Sequence, residues 1–270
     1  MSTPLVQVSN LVKHFPSKSG TSSGGGSVVK AVDDVSFEIF PGEVLGLVGE
    51  SGSGKSTTGR LILRLIEATS GHVTYGGKSV LDMPKGELRE LRKQMQIVFQ
   101  DPYGAFNPRM TVGAIIGEAL ELRGISGAQR RSDVGRFLEM VQMPASVANR
   151  YPHEFSGGQR QRIGIARALA VEPQFIVADE PVSALDVSTQ AEIVNLLLDL
   201  QQRLSLTMLF ISHDLSVVRV LCDRVAVMQN GKLVEVGDSQ QIFSAPKMPY
   251  TRELLDAVPI PDPARARRAA

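Results

Sequence analysis

Short apolar runs alternate with amphipathic segments along this chain, and the runs have the length of buried strands. Residues 44–48, 175–178 and 207–211 are almost wholly apolar, as is typical of parallel strands covered on both faces. The first run leads into a glycine-rich turn and a helix predicted from about Lys55. Polar residues follow each run directly. Because the carboxyl ends of parallel strands meet at one edge of a sheet, we expect these polar residues to share one site.

The middle of the chain has a mainly helical pattern. Between about 101 and 170, apolar positions recur at helical spacing in three segments, 111–123, 130–142 and 158–170. We interpret this region as a helical subdomain inserted into an α/β core. Nearer the N-terminus, β-branched runs on either side of the Gly/Ser-rich residues 17–27 predict two strands joined by a flexible loop.

A phosphate-binding motif follows the first apolar run. Residues 49–56 read G-E-S-G-S-G-K-S, which fits G-x-x-x-x-G-K-[ST] between a strand and a helix. Its backbone N–H groups and the helix N-terminus favour phosphate. Lys55 is predicted to reach the β- and γ-phosphates of ATP, and the Ser56 hydroxyl to bind Mg²⁺. The predicted nucleotide-binding residues are Gly49, Glu50, Ser51, Gly52, Ser53, Gly54, Lys55, Ser56 and Thr57.

Charged and polar side chains follow the other runs. Asp179 is predicted to hold Mg²⁺, and Glu180 to orient and polarise the attacking water. His213 is expected to contact the γ-phosphate and position Glu180, and the Gln100 amide to touch both Mg²⁺ and water. In isolation an Asp-Glu pair is equally a helix cap. The predicted catalytic residues are Lys55, Gln100, Glu180 and His213, and the predicted metal ligands are Ser56, Gln100 and Asp179.

A second glycine-containing segment, Phe-Ser-Gly-Gly-Gln at 155–159, precedes a predicted helix and is a further potential anion site. It resembles the LSGGQ signature of ATP-binding-cassette (ABC) ATPases, with Phe155 replacing the leading Leu. The other motifs occur in that family's order over essentially the whole chain. They are the phosphate loop, Gln100, the signature, the Walker B strand at 175–180, the D-loop at 183–186 and the switch His213.

The resemblance implies a composite ATP site. In ABC ATPases two cassettes pair head to tail, with each ATP between one phosphate loop and the partner's signature. Phe15 matches the family's adenine-stacking aromatic, with a core Phe on an edge strand as the alternative. The signature residues that would serve the partner's ATP are Ser156, Gly157, Gly158 and Gln159.

The fold implied by the resemblance is an α/β P-loop NTPase core with an N-terminal antiparallel β subdomain and an inserted helical subdomain. The predicted divisions are the β subdomain with the first part of the core at 1–100, the helical insertion at 101–170, the remaining core at 171–240 and a C-terminal extension at 241–270.

Two further stretches resemble the oligopeptide/dipeptide importer branch, especially its second ATPase subunit. They are residues 100–110 and the tail 249–263, which by itself predicts a short helix at about 250–257 before several prolines. In the importers a permease helix enters a groove beside the first stretch, and we expect Phe106 to contribute to it. The alternative is that 101–110 form only a rigid turn.

The resemblance therefore implies an ATPase subunit that uses ATP and Mg²⁺ to energise a membrane importer, with oligopeptides or dipeptides as the expected cargo. Its implied partners are two permease subunits, a second cassette ATPase and, indirectly, an extracytoplasmic substrate-binding protein. The alternative is a cassette attached to a soluble enzyme complex, such as phosphonate-breakdown machinery. A DNA-repair or chromosome-organising cassette is disfavoured, because such proteins need long coiled-coil insertions and none is evident.

Charge, cysteine content and hydropathy limit the classes of partner and the locations that fit this chain. The 270 residues carry 29 Lys+Arg and 28 Asp+Glu, a net charge of +1, which argues against nucleic acid. The single cysteine, Cys222, cannot form an internal disulfide and is expected to be a small buried residue in a reducing compartment. The sequence shows no secretory signal and no run of about 18 apolar residues. Together with the family resemblance, this implies a peripheral location at the cytoplasmic face of the membrane, reached through partners.

Overall fold

The computed structural model describes residues 3–16 and 28–257. The predicted loop at 17–27 and the tail after residue 257 lie outside the described residues. The strands are β1 (Val6–Pro16), β2 (Val28–Ile39), β3 (Val44–Val48), β4 (Ser70–Tyr75), β5 (Lys78–Ser79), β6 (Met95–Val98), β7 (Phe175–Asp179), β8 (Thr207–Ile211), β9 (Arg224–Gln229) and β10 (Lys232–Asp238). The α-helices are α1 (Lys55–Ile62), α2 (Lys85–Gln94), α3 (Val112–Glu121), α4 (Gly127–Met140), α5 (Gly157–Leu169), α6 (Val187–Leu204), α7 (Leu215–Leu221), α8 (Ser239–Ser244) and α9 (Pro249–Asp256).

The central sheet has six strands in the order β10-β9-β3-β8-β7-β6. Strands β9, β3, β8, β7 and β6 are parallel, and β10 pairs antiparallel with β9 at one edge. Every residue of β3, β7 and β8 is buried, because each face of the sheet lies against its own hydrophobic core. Leu45 and Leu47 belong to one core, and Val44 and Val48 to the other. The α/β fold class predicted from the apolar runs is confirmed.

A four-stranded antiparallel sheet, in the order β2-β1-β4-β5, contributes to the first core together with α1 and α2. Helices α3 to α6 and the C-terminal helices contribute to the second core, where Phe137 and Leu138 are completely covered. Strands β6 and β7, adjacent in the sheet, flank the helical segment along the chain. The helical segment is thus inserted along the chain between two neighbouring strands. It begins beside the carboxyl ends of the parallel strands, where the predicted site residues lie.

The three predicted amphipathic segments are occupied by α3, α4 and α5, with ends that differ from the pattern by up to a few residues. Helix α4 begins at Gly127, before the expected start at 130, because its polar first turn carries no apolar periodicity. None of the helices in the two described ranges is both long and apolar enough to cross a membrane. Cys222 is buried beside Gly46, and burial raises the pKa of its thiol, as expected for an unreactive core residue.

The expectation that Phe106 contributes to a surface groove is wrong. Its side chain is only 6% exposed and belongs to the core of the helical insertion, with the Arg167 guanidinium 5.3 Å from its ring centroid. A large apolar ring after the polar 100–104 stretch is more stable packed against α5 than in water. The exposed aromatic of this segment is Tyr103, whose ring lies 5.0 Å from the Arg160 guanidinium.

Candidate nucleotide-binding site

The phosphate loop owes its shape to glycines that no other residue can replace. Gly49 and Gly54 have φ angles of 148° and 106°, in the region that favours glycine. A Cβ on Gly49 would lie 2.1 Å from the Met228 carbonyl oxygen, and one on Gly54 2.1 Å from that of Ala31. The loop therefore lies against the end of β9 on one side and against β2 on the other, with no room for side chains at these positions.

Lys55 closes the loop from inside. Its side chain is buried, and Nζ donates to the carbonyl oxygens of Gly49 at 2.8 Å and Glu50 at 2.7 Å. Burial lowers the pKa of Lys55, while the negative charges of Glu180, Asp179 and Glu50 act in the opposite direction. The amine is thus a fixed positive group between the loop and the carboxylates. That placement is suited to the β- and γ-phosphates of a nucleotide.

Asp179 is the buried last residue of β7. Its Oδ1 accepts a hydrogen bond from the Ser56 hydroxyl at 2.6 Å, and its Oδ2 lies 3.7 Å from the Arg60 guanidinium. Burial raises the pKa of Asp179, although the Ser56 hydrogen bond and the Arg60 charge oppose the shift. Sequence reasoning missed Arg60. Its spacing of four residues from Ser56 on α1 could have revealed that both side chains reach the same carboxylate.

Glu180 and His213 are also brought together. The Glu180 backbone has φ 48°, and its N–H donates to the Ile211 carbonyl oxygen at 2.9 Å. Glu180 Oε2 lies 3.2 Å from His213 Nδ1. A left-handed conformation at a residue other than glycine is strained, and such strain concentrates at functional sites. The end of β8 therefore fixes both the backbone and the side chain of Glu180.

A cavity of about 510 Å³ lies over the phosphate loop. Its walls combine the loop with Gln100, Glu180 and residues of β2 and the β9–β10 turn. They are Val29, Lys30, Ala31, Ser51, Gly52, Gly54, Lys55, Ser56, Thr57, Gln100, Glu180 and Asn230. Gly49, Glu50 and Ser53 are loop residues outside this wall, while Asp179 and His213 adjoin it through Ser56 and Glu180. The phosphate loop, Gln100, Asp179–Glu180 and His213 thus meet at the carboxyl ends of the parallel strands.

The β2 wall and the β9–β10 turn were not predicted. Val29, Lys30 and Ala31 carry no local motif, so only the fold reveals them. Asn230-Gly231 is a hairpin-turn dipeptide, a signal that was available. The Gly231 N–H donates to the Ser53 carbonyl oxygen at 2.9 Å, so this turn supports the phosphate loop directly.

Phe15 lies near the cavity but not in its described wall. It pairs with Val29 across β1 and β2, and Val29 is a wall residue. The Phe15 side chain is 38% exposed and belongs to neither core of the described residues, and the Lys13 amine lies 4.9 Å from its ring centroid. An exposed aromatic ring beside the cavity is compatible with base stacking rather than with a core role.

The signature segment forms the N-terminus of α5. The Ser156 Oγ accepts from the Gln159 N–H at 3.3 Å, and the Gln159 side chain accepts from the Ser156 N–H at 3.1 Å, a capping box. A Cβ on Gly158 would lie 2.3 Å from Thr189 Cγ2, so this glycine lets α5 approach α6. Among the described residues, none of the four from Ser156 to Gln159 lines the phosphate-loop cavity.

The signature helix is nonetheless connected to the catalytic edge. Gln161, a buried residue of α5, donates through Nε2 to the Phe99 carbonyl oxygen at 3.2 Å, directly before Gln100. Sequence reasoning missed this contact. The sequence offered one indication of it, because Gln161 is a polar residue on the apolar face of a predicted helix and a buried polar group needs a hydrogen-bond partner.

The predicted metal ligands share oxygen chemistry. The Ser56 hydroxyl is hydrogen-bonded to the Asp179 carboxylate, and Ser56 and Gln100 both line the cavity over the phosphate loop. Hydroxyl, carboxylate and amide oxygens are donors that suit Mg²⁺, which usually keeps several waters and few protein ligands. The donor set therefore fits a magnesium ion bound together with nucleotide phosphates.

Comparisons with known proteins show which family the chain belongs to. The family model described as ABC transporter matches residues 32–183, and that described as oligopeptide/dipeptide transporter, C-terminal region, matches residues 234–270. A putative peptide import ATP-binding protein of Brucella ovis is 55% identical over 268 residues, spanning 98% of this chain and 82% of that protein. The oligopeptide transport ATP-binding protein OppF of Bacillus subtilis is 53% identical, spanning 97% of this chain and 85% of its own length.

A solved structure gives the same result for the fold. It is a dimeric ATP-binding cassette in a post-hydrolysis state bound to ADP and Pi, with a TM-score of 0.76 and 31% identity over 87% of this chain and 98% of that one. The family resemblance predicted from the motifs is thereby confirmed. With its phosphate loop, Walker B strand and signature in their places, the chain belongs to the ABC transporter family as one of its ATP-binding cassettes.

Proposed function

We propose that this chain is the ATP-hydrolysing subunit of a membrane importer for oligopeptides or dipeptides. The observation that carries the ATPase assignment is the sheet edge where Lys55, the Ser56–Asp179 pair and the Glu180–His213 pair meet around one cavity. The importer assignment is supported by the C-terminal region match at residues 234–270 and by relatives named for peptide import and oligopeptide transport.

The side chains divide the work of hydrolysis between binding and activation. The loop N–H groups and the Lys55 amine bind the phosphates of ATP and hold the γ-phosphate in place. The Glu180 carboxylate accepts a hydrogen bond from the attacking water and polarises it, and His213 holds that carboxylate at 3.2 Å. Catalysis is then mainly positional and electrostatic.

Ser56, Gln100 and Asp179 would hold Mg²⁺, which when bound neutralises charge on the β- and γ-phosphates. Because burial raises the pKa of Asp179, this carboxylate becomes protonated at a higher pH than an exposed aspartate. The Ser56 hydroxyl donates to Asp179 and keeps one of its oxygens oriented toward the cavity edge.

The signature is assigned to a second cassette, either another copy of this chain or a related one. Ser156, Gly157, Gly158 and Gln159 would contact ATP held mainly by the partner. Supporting this, the signature turn lies outside the cavity of its own chain, and a similar solved cassette is a dimer. Phe15, exposed beside Val29, would stack on the adenine.

The remaining partners follow from the importer assignment. Two permease subunits would bind the helical insertion near Tyr103, and an extracytoplasmic substrate-binding protein would deliver the peptide. The chain would sit peripherally at the cytoplasmic face of the membrane. We also propose the four divisions at 1–100, 101–170, 171–240 and 241–270 as its working units, with the helical insertion moving against the core during the cycle.

Purification of the chain from its native membranes in mild detergent tests the importer assignment. We expect two membrane-spanning proteins and a cassette partner to copurify, and peptide to accelerate ATP hydrolysis once the complex is placed in vesicles with the binding protein. Copurification with soluble enzyme subunits alone, without any membrane-spanning protein, would contradict import and favour an attached soluble machinery.

A further inference from the structure

The C-terminal extension is fixed to the core by a buried carboxylate on β10. Glu235 is 8% exposed, and its carboxylate accepts hydrogen bonds from the backbone N–H groups of Lys247 at 2.9 Å and Met248 at 3.1 Å. Burial acts to raise its pKa, but the surrounding donors outweigh burial and hold the pKa of Glu235 below its usual value. Because Met248 directly precedes α9, this carboxylate ties the start of that helix to β10.

Helix α9 then reaches the phosphate loop through one hydroxyl. The Tyr250 side chain is 9% exposed and packs in the core shared with the helical insertion. Its hydroxyl oxygen accepts a hydrogen bond from the Glu50 backbone N–H at 3.3 Å, across 200 positions of sequence. Burial raises the pKa of Tyr250, so the hydroxyl stays protonated at neutral pH.

Glu50 is therefore held on both sides of its backbone. Its N–H donates to the Tyr250 hydroxyl, and its carbonyl oxygen accepts from the Lys55 amine at 2.7 Å. The same amine is the group assigned to the nucleotide phosphates. The first turn of the phosphate loop is thus fixed by the catalytic core from one direction and by the C-terminal extension from the other.

We propose that Tyr250 is a positioning residue for the nucleotide site, through which the C-terminal extension preorganises the phosphate loop. The inference rests on the proposed ATP site. Fixing a loop in its binding conformation before the ligand arrives lowers the ordering cost of binding. Loss of the hydroxyl then weakens MgATP binding, by about threefold to tenfold for one neutral hydrogen bond.

By thermodynamic linkage, nucleotide binding should also affect how firmly α9 is docked. If docking of α9 strengthens nucleotide binding, then nucleotide binding must strengthen docking of α9 by the same factor. The extension therefore senses whether the phosphate loop is occupied. A role limited to packing the tail onto the core predicts no such effect on α9.

The chain offers a matched control in Tyr75. This tyrosine is also buried, and its hydroxyl donates to the Gln174 side-chain oxygen at 3.2 Å, between β4 and the residue before β7. Neither Tyr75 nor Gln174 lines the cavity over the phosphate loop. Tyr75→Phe and Tyr250→Phe each remove one hydroxyl from a buried tyrosine, a donor at Tyr75 and an acceptor at Tyr250, but only the second touches the phosphate loop.

The experiment uses the full chain, with MgATP affinity measured by calorimetry for the parent, Tyr250→Phe, Tyr75→Phe and Lys55→Ala. Hydrogen exchange of residues 249–256 is followed with and without MgATP. We expect weaker binding in Tyr250→Phe and unchanged binding in Tyr75→Phe. MgATP should slow exchange in α9 of the parent by about threefold to tenfold and have no effect there in Tyr250→Phe.

The outcomes separate the two proposals. Binding of MgATP by Lys55→Ala with the affinity of the parent would contradict the proposed ATP site itself. Loss of binding in Lys55→Ala with parent-like binding in Tyr250→Phe would overturn the role of Tyr250 alone. An equal loss in both tyrosine variants would show a general stability effect and would also overturn it, as would identical α9 exchange with and without MgATP in the parent.

Discussion

Two glycine-rich turns open helices in this protein, and they are built differently. In the phosphate loop, Gly49 and Gly54 adopt positive φ angles, and the Lys55 amine binds the loop carbonyls from inside. In the signature turn, Ser156 and Gln159 bond to each other, and Gly158 is needed for close packing on Thr189. The first turn is a cradle with carboxylates beside it. The second is a helix N-terminus that lies outside the phosphate-loop cavity of its own chain, as the proposed contact with a partner's ATP would need.

The largest effect should come from Lys55→Ala. The variant removes the buried positive charge and the two hydrogen bonds that close the loop, so both nucleotide binding and hydrolysis should be lost. Calorimetry with MgATP and phosphate release from the assembled complex measure the two effects. Near-parent turnover would show that the loop is not the phosphate site.

His213→Ala should lower hydrolysis by about tenfold or more while ATP affinity stays close to that of the parent. The reason is that His213 touches Glu180 at 3.2 Å rather than the loop that binds the phosphates. His72→Ala, at an exposed histidine of β4, is the control. A loss of affinity equal to the loss of turnover would place His213 in binding instead of in activation.

Mixing two inactive variants tests whether the signature acts on a partner. A Cβ at Gly158 would already clash with Thr189 Cγ2, and Gly158→Asp adds a charged side chain there, whereas Gly86→Ala adds only a methyl group in open space and serves as control. If the chain pairs with itself, equal amounts of Lys55→Ala and Gly158→Asp should regain about a quarter of parent turnover, since half the dimers carry one intact site. No recovery at any ratio would count against composite sites formed by two copies of this chain, and pairing with a related chain would then be the arrangement to test.

The smallest effect concerns stability beside the signature. Asp186 caps α6, accepting from the Thr189 N–H at 3.0 Å, and hydrogen bonds from Ser188 and Thr189 lower its pKa to about 2. An acid whose folded pKa is depressed stabilises the fold above its unfolded pKa, and this stabilisation is lost as the pH falls toward 2.

Asp186→Ala should therefore lower Tm slightly at pH 7, and the difference from the parent should shrink as the solution is acidified. Asp199→Ala, on the same helix and paired with exposed Arg203, is the control. A Tm difference that stays constant down to pH 2 would show that the carboxylate charge of Asp186 contributes nothing to the cap.

The sequence predicted the phosphate loop more fully than its surroundings. A strand, a glycine turn and a helix are contiguous, so local pattern was enough to place Lys55 and Ser56. Gln100, Glu180 and His213 were predicted at strand ends, and the parallel sheet brings them to one edge. Long-range contacts such as that between Tyr250 and Glu50 join distant elements with no shared motif, and no local pattern could reveal them.

Phe106 is a residue whose local turn could be predicted from the sequence but whose side-chain direction could not. Its neighbours Pro102, Gly104 and Pro108 are typical of an exposed turn, yet the ring turns inward against Gly164 and Arg167. Backbone chemistry predicted the turn, whereas the direction of one side chain depends on the core that α5 completes. Tyr103, exposed on the same segment, is the residue to change when permease binding is tested.

The most direct test of the phosphate-loop account is Glu180→Gln, because it separates binding from activation at a single atom. Bound ATP and released phosphate are measured in the same sample of the assembled complex. We expect ATP to bind with parent-like affinity while phosphate release falls by about 10²-fold or more, since the amide cannot polarise the water. Failure to bind ATP, or phosphate release at the parent rate, would contradict the role of Glu180 at this edge.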